Sequence, residues 1–529
     1  MRTALHSLLR ESAEVRPHAP ALTSKDDTRT YAALWDEVAR AAHGLRALGL
    51  RSGDRCAVYL DKRPETVASL FAISAAAGVF VPVNPVLKAA QVAHIIEDCA
   101  VSVLVTSRER LAALGDVLDR CKSLTHVVLV GDSTGAPEPD GIQVHPWAEL
   151  VSAPATAANT ALADRVVDVD VAAILYTSGS TGSPKGVVLS HRNLIVGAES
   201  VSSYLANTAD DVILAALPLS FDAGLSQVTT AFAVGAHVVL LNYLLPGEVP
   251  RLCARHGVTG LTCVPPLWIQ IADLEWPEEA RTRLRYFANT GGKMPRATLE
   301  RLRSVFPGAQ PYLMYGLTES FRSTYLPPAE VDRRPDSIGR AIPNAEVLVV
   351  RPDGTPCEPG EEGELVHRGA LVALGYWGDP GRTAERFRPL PRDEAEWRLP
   401  ERCVWSGDRV VADEEGFLYF IGRTDEMIKT SGYRVSPTEI EEAAYSTGQV
   451  RDAVAIGVPD ARLGHRVVLV ATPSSEELDP AALLAALRRQ LPLFMVPETV
   501  DVRAEIPRSP NGKFDRARLR DELCGEAAP

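Results

Sequence analysis

Residues 177–186 bring together the groups that a polyphosphate ligand needs. The segment, Thr177-Ser-Gly-Ser-Thr-Gly-Ser-Pro-Lys-Gly186, contains three glycines, five hydroxyl side chains and one lysine, Lys185. Glycine allows the positive-φ turns that direct successive backbone N–H groups at one point, and the hydroxyl groups add further donors. The lysine adds a cation. We therefore predict that this segment is a phosphate-binding loop.

Two other interpretations of the segment are weaker. A flexible Gly/Ser linker rarely lies between two strongly apolar runs, and here such runs occupy 171–176 and 187–189. A P-loop carries Gly-Lys-Ser/Thr and leads into a helix, whereas Lys185 is followed by Gly186 and an apolar run typical of a strand. The pattern predicts a strand, a loop and a second strand, with a phosphate site of a different type.

A second candidate site is the pentapeptide Tyr315-Gly-Leu-Thr-Glu319, which follows the apolar run 311–314. Gly316 lets a ligand approach the backbone, while Thr318 and Glu319 present oxygen atoms. Activation of a carboxylate by ATP brings two anions together, so a carboxylate that holds Mg²⁺ is chemically required. The structural alternative for the pentapeptide alone is a helix start, with Thr318 as cap and Glu319 facing the helix dipole.

Together with four later motifs, these segments resemble the AMP-forming adenylating superfamily, which includes acyl-CoA synthetases, adenylation domains and luciferases. The resemblance covers nearly the whole chain and implies ATP and Mg²⁺ as ligands. It implies four catalytic residues, namely Lys185, Thr318, Glu319 and Lys513, with Glu319 holding Mg²⁺. The nucleotide-binding residues that it implies are Thr177, Ser178, Gly179, Ser180, Thr181, Gly182, Gly291, Gly292, Tyr315, Gly316, Asp408 and Arg423.

Three of these nucleotide contacts rest on short motifs that also have structural interpretations. Gly291-Gly292 permits flat packing along a purine but is otherwise an ordinary turn. Asp408, in Trp405-Ser-Gly-Asp408, can accept both ribose hydroxyls, although Asp in such a turn is usually structural. We expect this motif to end a coil and enter a strand. By resemblance, Asp408 and Arg423 bind the ribose and Tyr315 stacks near the adenine.

The C-terminal hundred residues carry the remaining motifs of the resemblance. Asp425 corresponds to a hinge, and Asp tolerates two backbone states better than most residues. Lys429 and Gly432 belong to a loop that lines a thiol tunnel after the small domain turns. Lys513 follows the hairpin turn Asn511-Gly512. By composition it is a solvated surface lysine, whereas the resemblance makes it bridge the substrate carboxylate and the α-phosphate.

The acyl pocket is predicted from Phe221-Asp222, because amino-acid-activating members of the family carry an aspartate here for the substrate ammonium. A buried carboxylate needs a cationic partner, which an amine supplies. Alternatively, Asp222 caps a helix starting near Gly224 or pairs with an arginine. The further pocket residues expected are Trp268, Gly292 and Gly316, with Phe321 and Arg322 nearby. Of the aromatic residues, some are equally consistent with core packing.

The predicted reaction has two steps. A carboxylate, expected to carry an amine, attacks the α-phosphate of ATP to give an acyl-adenylate and pyrophosphate. A phosphopantetheine thiol, on a stand-alone acyl or peptidyl carrier protein, then forms a thioester and releases AMP. The alternative is an acyl-CoA synthetase acting on a fatty, aryl or other non-amino acid. A regulatory adenylate-binding protein and a luciferase-like oxygenase are weaker hypotheses, because every expected functional position is occupied and nothing indicates oxygen chemistry.

The composition excludes several other classes. With a net charge of −13 and no Lys/Arg block, the 529 residues do not suggest a nucleic-acid partner. Eight scattered cysteines without a CxxC pair indicate reduced thiols. The chain has no run of eighteen apolar residues and no long apolar N-terminal segment, so we expect no membrane partner and a cytoplasmic protein. We expect a monomer or homodimer.

The order of predicted strands and helices along the chain indicates the architecture. Strands alternate with helices up to about residue 340, which favours a doubly wound parallel α/β arrangement. Short strands with Asp-Gly and Glu-Gly turns then favour a small antiparallel β subdomain at about 344–424. We therefore predict a large N-terminal adenylation domain, residues 1–424, and a small mobile α+β domain, residues 425–529, which carries the catalytic lysine.

Overall fold

A computed structural model of the chain describes residues 2–152, 166–177, 184–242, 245–390, 400–423, 427–475, 477–507 and 514–525. Its α-helices are α1 Ser7–Val15, α2 Tyr31–Ala47, α3 Pro64–Ala75, α4 Ala89–Asp98, α5 Arg108–Leu114, α6 Trp147–Leu150, α7 His191–Tyr204, α8 Asp222–Val234, α9 Glu248–His256, α10 Pro265–Ala272, α11 Glu278–Arg283, α12 Arg296–Val305, α13 Pro380–Arg386, α14 Pro437–Ser446, α15 Pro480–Gln490 and α16 Arg516–Gly525.

The strands form three sheets. The first half of the chain contributes β1 Pro20–Ser24, β2 Asp27–Thr30, β3 Arg55–Tyr59, β4 Val79–Pro82, β5 Val103–Thr106, β6 His126–Leu129, β7 Gln143–Pro146, β8 Val171–Thr177, β9 Lys185–Ser190, β10 Val212–Ala215, β11 His237–Leu240, β12 Gly260–Cys263, β13 Tyr286–Asn289 and β14 Gln310–Tyr315. The later strands are β15 Thr324–Leu326, β16 Ser337–Ala341, β17 Ala345–Val350, β18 Glu362–Gly369, β19 Gly375–Tyr376, β20 Phe387–Arg388, β21 Cys403–Ala412, β22 Leu418–Arg423, β23 Ile428–Thr430, β24 Tyr433–Val435, β25 Val450–Asp460, β26 Gly464–Pro473 and β27 Thr499–Val502.

The first sheet has eight strands in the order β19-β9-β8-β4-β3-β5-β6-β7. Its central strands run parallel, as apolar β-branched runs separated by helices predict. Strands β8 and β9 pair antiparallel, with Thr177 opposite Lys185. The strand, loop and second strand predicted around 177–186 are therefore present, although residues 178–183 of the loop lie outside the described residues.

The second sheet has fourteen strands and changes character along its length. Strands β10 to β14 are parallel, and antiparallel pairing then runs from β14 through β15 and β16 to β22, β21, β18 and β17. The strands between 344 and 424 are antiparallel, as predicted. Because β15 and β16 hydrogen-bond on both sides, this antiparallel part continues the edge of the parallel sheet.

The C-terminal residues form a smaller α+β unit with its own apolar cluster. Its five-stranded sheet has the order β24-β23-β26-β25, with β27 beside β26. Helices α14 and α15 pack on it through residues such as Ile440, Leu483 and Leu487, which are almost fully buried. These elements agree in type with the sequence prediction. The predicted boundary at residue 425 lies outside the described residues and stays a prediction.

The largest apolar core joins the two large sheets. Helices α3 and α8 are buried along most of their length, and the rings of Tyr31, Phe71 and Phe232 meet edge to face there. Burial on nearly all sides explains why α3 has apolar or small side chains around most of its surface, whereas polar residues of α8 such as Gln227 are hydrogen-bonded inside the core. Among the described residues, no helix combines the length and apolar composition needed to cross a membrane.

Two local features differ from the sequence prediction. Trp405 to Asp408 lie inside β21 and do not form a coil end, because Gly407 adopts φ +69° and the strand is bulged just beyond Asp408. Helix α8 begins at Asp222, two residues before Gly224. Asp222 is therefore the first helical residue, where a carboxylate is favourable to the helix dipole.

Candidate active site

A cleft of about 240 Å³ lies at the carboxyl ends of the parallel strands. Its lining includes the segments that follow β4, β8, β10, β12, β13 and β14, and it also includes residues of the C-terminal unit. In parallel α/β sheets, ligands bind at the carboxyl edge, where loops present backbone groups and side chains together. The cleft is therefore the candidate active site.

The cleft collects most of the described residues that the sequence predicted. Those in its lining are Thr177, Phe221, Asp222, Gly291, Tyr315, Gly316, Thr318, Glu319, Asp408, Lys429 and Gly432. Among the other predicted positions, Lys185 and Gly292 are described but are not part of this lining, and the following lie outside the described residues: Ser178, Gly179, Ser180, Thr181, Gly182, Asp425 and Lys513. For Arg423 only the backbone is described, and it pairs directly opposite Asp408 between β21 and β22.

One side of the cleft is lined by Tyr315, Thr318 and Glu319, and we call these residues, together with Lys185 and Tyr376 that contact Glu319, the N-terminal wall. The Lys185 ammonium donates to the Tyr376 hydroxyl at 2.7 Å, and that hydroxyl donates to Glu319 Oε1 at 2.8 Å. Lys185 Nζ also lies 3.4 Å from Glu319 Oε1. Glu319 is only 1% exposed, so its charge depends on these partners.

The electrostatics of this wall keep Glu319 ionised. Burial alone raises the pKa of a carboxyl group, but the Lys185 ammonium, with Arg434 and Arg386, outweighs it and holds the pKa of Glu319 below its ordinary value. Burial lowers the pKa of Lys185 to about 8, and Glu319 opposes that shift. The ionised carboxylate can bind a metal cation. The cationic side chains around it can bind a polyphosphate.

The nucleotide side of the cleft contains two of the predicted ribose and adenine contacts. The Tyr315 hydroxyl donates to Asp408 Oδ2, and the Tyr315 ring stacks on His367, with the ring centroids 6.3 Å apart. Asn289 Nδ2 donates to the Gly292 carbonyl at 2.7 Å and fixes the turn in which Gly291 has φ +78°. A side chain at 291 would also press on Val264.

The acyl side of the cleft holds a pair of opposite charges. Thr318 Oγ1 donates to Asp222 Oδ1 at 3.3 Å, and Arg322 Nη1 lies 3.6 Å from Asp222 Oδ2. Burial raises the pKa of Asp222, and the Arg322 guanidinium and the Thr318 hydroxyl partly offset that effect. The alternative in which Asp222 pairs with an arginine is thus present in the structure.

Two aromatic residues expected near the acyl pocket lie in the core. Trp268 is fully buried, its indole nitrogen donates to the Ala288 carbonyl at 3.3 Å, and its ring packs on Phe287. Phe321 is also fully buried and lies over Gly197. Neither is among the residues that line the cleft. Helical position alone did not indicate which face of α10 Trp268 occupies.

The opposite side, which we call the C-terminal wall, consists of Lys429, Ser431, Gly432, Tyr433, Arg434, Glu439, Phe494 and Met495. Gly432 has φ +80°, and a Cβ there would lie 3.0 Å from Val264 Cγ2. The Tyr433 ring stacks on Phe494 with centroids 3.7 Å apart and meets Phe221 edge-on at 5.2 Å. Gln91 Nε2 donates to Glu439 Oε1 at 2.8 Å, so the C-terminal unit closes the cleft.

Sequence reasoning missed several cleft residues. Tyr376 links Lys185 and Glu319, and Gln91, Tyr433, Arg434 and Phe494 belong to or face the C-terminal wall. Tyr376 lies in the short strand β19, which pairs with β9 next to the phosphate loop. The only signal was its Gly-Tyr-Trp setting, which has no chemical pattern of its own.

The comparison with known families agrees with this geometry. The family model described as "AMP-binding enzyme" matches residues 9–377, and the one described as "AMP-binding enzyme C-terminal domain" matches 439–513. The chain therefore belongs to the AMP-binding enzyme family. Its activity follows from the family and its ligase relatives: it is an AMP-forming acid–thiol ligase.

Relatives of different substrate classes resemble this chain to a similar degree. A linear gramicidin synthase of Brevibacillus parabrevis is 31% identical over 99% of this chain, which spans 6% of that protein. An L-proline–[L-prolyl-carrier protein] ligase of Streptomyces coelicolor is 34% identical over 97% of this chain and 95% of its own length. A feruloyl-CoA synthase of Amycolatopsis is 31% identical over 96% of both.

Two solved structures of o-succinylbenzoate CoA synthetase from Bacillus subtilis differ in their likeness to this chain. A double mutant bound with a product analogue, OSB-NCoA, superposes with a TM-score of 0.81, and the complex with the acyl-adenylate OSB-AMP with 0.67. Both share 25% identity and cover 97% of this chain and 98% of theirs. The arrangement of the described parts is therefore closer to that of the product-analogue complex.

Proposed function

We propose that this ligase activates an amino acid as its aminoacyl-adenylate and transfers it to the phosphopantetheine thiol of a stand-alone carrier protein. The observation that carries this proposal is Asp222, a carboxylate 14% exposed at the acyl side of the cleft. An ammonium is the substrate group that best compensates a carboxylate in such a position. The 34% identity to the prolyl-carrier protein ligase, over nearly the full length of both chains, supports it.

In the adenylation step, the N-terminal wall supplies fixed charge to the phosphates. Lys185 lies at the end of the phosphate loop, and Thr177 Oγ1 is buried with no hydrogen-bond partner among the described residues, so it is available to an anion. Thr318 Oγ1 is positioned beside the acyl side and suits the α-phosphate. Asp408, aligned with Arg423, suits the ribose hydroxyls. By resemblance, Lys513 supplies the cation that bridges carboxylate and α-phosphate.

Glu319 is the residue that would hold Mg²⁺. Among the described residues, no group of three or more His, Cys, Asp or Glu side chains could hold a metal ion. One ionised carboxylate nevertheless fits Mg²⁺, which binds through one or two carboxylates and takes its other ligands from phosphates and water. When bound, the ion would neutralise the phosphate charge. Lys185 and Tyr376 orient the Glu319 carboxylate for that task.

In the thioester step, we propose that the thiol reaches the adenylate along the C-terminal wall. The loop around Gly432 lies against Val264 at the cleft edge, and Tyr433 and Phe494 form a flat aromatic surface beside it. The closer likeness to the product-analogue complex of a CoA synthetase supports this assignment. We propose that the mobile unit begins at Asp425 and comprises residues 425–529, with 1–424 as the adenylation domain.

A second candidate function is that of an acyl-CoA synthetase for a non-amino acid. The observation in its favour is the contact of Asp222 with Arg322 at 3.6 Å, since an aspartate that already has a cationic neighbour needs no substrate amine. The feruloyl-CoA synthase relative is of this class. The two functions differ in the group that Asp222 faces when substrate is bound.

The test is acid-dependent exchange of pyrophosphate into ATP, with each amino acid paired with its deaminated counterpart. The panel includes proline and β-amino acids. We expect exchange with amine-bearing acids alone, and we expect Asp222→Asn to lower kcat/KM for them by roughly 10²-fold, since the buried site loses its charge. Exchange with plain acyl or aryl acids, unchanged in Asp222→Asn, would overturn the amino-acid proposal and favour the CoA synthetase.

A further inference from the structure

Arg322 is a buried arginine on the acyl side of the cleft. Its side chain is 4% exposed, and Nη1 donates to Thr290 Oγ1 at 3.0 Å. Its Nε is buried and has no hydrogen-bond partner among the described residues. A buried donor without an acceptor costs about 1–3 kcal/mol, and more in a charged group. A ligand that supplies an acceptor there would remove that cost.

The backbone directs Arg322 into the cleft at the expense of local strain. The preceding residue, Phe321, has φ +55°, an uncommon conformation for a bulky residue. Its ring is fixed over Gly197, and a Cβ at Gly316 would lie 3.2 Å from the Arg322 Cα. Strain of this kind persists where the surroundings enforce it and is concentrated at functional sites.

Arg322 and Ala223 also limit the depth of the acyl side. Both line the main cleft and a small cavity beneath it, whose volume is about 20 Å³. A space of that size holds about one water molecule. A long apolar chain cannot pass the guanidinium without displacing it, and a short apolar one supplies no acceptor to a guanidinium whose Nε already lacks one among the described residues. The geometry therefore favours a short substrate with an oxygen-rich far end.

The balance of buried charge indicates which chemical group the far end of the substrate carries. Asp222 and Arg322 offset one another when no ligand is bound. If Asp222 binds a substrate ammonium, Arg322 is left without a full counter-charge in a nearly buried position, which is costly. A second carboxylate on the substrate restores the balance, and its two oxygens match the fork of a guanidinium.

We propose that Arg322 is a specificity-determining residue that binds a second carboxylate of the substrate, so that the activated acid is a short amino dicarboxylic acid. This inference rests on the proposed activation of an amino acid and narrows its substrate class. Asp222 holds the ammonium, Arg322 holds the side-chain carboxylate, and the remaining carboxylate faces ATP.

The experiment compares pyrophosphate exchange by the full-length protein with L-aspartate, L-glutamate, L-asparagine, L-glutamine, L-alanine, L-proline and succinate. We expect an amino dicarboxylate to exceed its amide and alanine by roughly 10²-fold or more in kcat/KM. Arg322→Met should abolish that preference, mainly through KM. Arg322→Lys, which keeps the charge without the fork, should retain part of it. Thermal unfolding and AMP binding of each variant report folding independently.

The possible outcomes distinguish the role of Arg322 from the proposed activation of an amino acid. Preference for a neutral amino acid by the wild-type protein would overturn the role of Arg322 and leave amino-acid activation intact, even if no variant folds. Preference for succinate would support the carboxylate contact and overturn the selection of an amine. Preference for asparagine or glutamine would overturn the proposal that Arg322 binds a carboxylate. Exchange with none of these acids would overturn the amino dicarboxylic acid as substrate, and the wider panel of amino acids and deaminated acids would then test amino-acid activation separately.

Discussion

The two walls of the cleft are held by different kinds of contact. In the N-terminal wall, Lys185, Tyr376 and Glu319 form a buried chain of an ion pair and hydrogen bonds. The C-terminal wall meets the rest of the molecule through ring contacts of Tyr433, the approach of Gly432 to Val264, and a hydrogen bond between Gln91 and Glu439. The N-terminal wall is held by buried charge, whereas the C-terminal wall is held largely by surface packing, with Arg434 adding an electrostatic attraction to Glu319.

This difference indicates how one cleft can serve two half-reactions. Separating the partners of Glu319 would leave a charge in a site 1% exposed, which costs several kcal/mol. Ring and van der Waals contacts can be broken and remade at lower cost, and Glu319 keeps Lys185 and Tyr376 as partners when the attraction of Arg434 is lost. We infer that the N-terminal wall is the constant part of the site and the C-terminal wall the exchangeable part.

The largest effect is expected when the charge of the N-terminal wall is removed. Glu319→Gln keeps the shape and an acceptor for Tyr376 but loses the carboxylate, so adenylation should fall on the order of 10²- to 10³-fold. The measurement is pyrophosphate exchange at increasing Mg²⁺ concentration. Asp211→Asn, which neutralises a buried partner of Arg285 outside the cleft, is the control. A rate near that of the wild-type protein would remove Glu319 from the site.

Sequence alone was sufficient where the signal is local. The pattern around 171–190 predicted β8, the loop and β9, because apolar alternation and glycine placement are properties of neighbouring residues. Likewise, the antiparallel strands predicted at about 344–424 are present as β17, β18, β21 and β22. Tyr315, Thr318 and Glu319 were found because their chemistry is concentrated in five consecutive residues.

The missed features depend on residues distant in sequence. Tyr376 reaches Glu319 across 57 residues because β19 pairs with β9, and no spacing rule predicts that pairing. Pairing of Asp222 with an arginine was only one of the alternatives, because the contact with Arg322 joins residues distant in sequence and follows Phe321, whose positive φ its side chain disfavours. Trp268 packs in the core against Phe287 and Ala288 of β13, a contact that its own neighbours in the sequence do not determine.

A smaller and more selective effect is expected at the exchangeable wall. Gly432→Ala introduces a Cβ at φ +80° and 3.0 Å from Val264 Cγ2, so the loop should no longer seat at the cleft edge. Thioester formation from preformed adenylate should fall roughly 10-fold, while pyrophosphate exchange changes little. Both half-reactions are measured on the same preparation.

Gly448→Ala provides a matched control for Gly432→Ala. Gly448 has φ +70° in the same C-terminal unit, but a Cβ there has nothing within 4 Å. Gly448→Ala therefore imposes the cost of an alanine at positive φ, but it does not introduce a contact across the cleft. Equal losses in the two variants, or an equal loss of both half-reactions in Gly432→Ala, would contradict the assignment of the loop to the second step.

The smallest effect concerns the pH dependence of the C-terminal wall. Burial raises the pKa of Glu439 to about 7, with Glu442 adding to the shift and the Gln91 hydrogen bond opposing it. A raised carboxyl pKa means that the protonated form favours the closed wall. Closure is therefore most stable below the ordinary carboxyl pKa of about 4.5 and weakens as pH rises to about 7.

Glu439→Gln imitates the protonated form at every pH and keeps an acceptor for Gln91. The ratio of its thioester-forming rate to that of the wild-type protein should rise from about 1 at pH 5 to roughly 3–10 at pH 8. Taking the ratio cancels the ionisation of the acceptor thiol. Glu442→Gln, on the exposed side of α14, should shift the ratio only slightly. A flat ratio for Glu439→Gln would mean that this carboxylate does not bias closure, and the exchangeable wall would then depend on its ring and loop contacts and on the charge of Arg434.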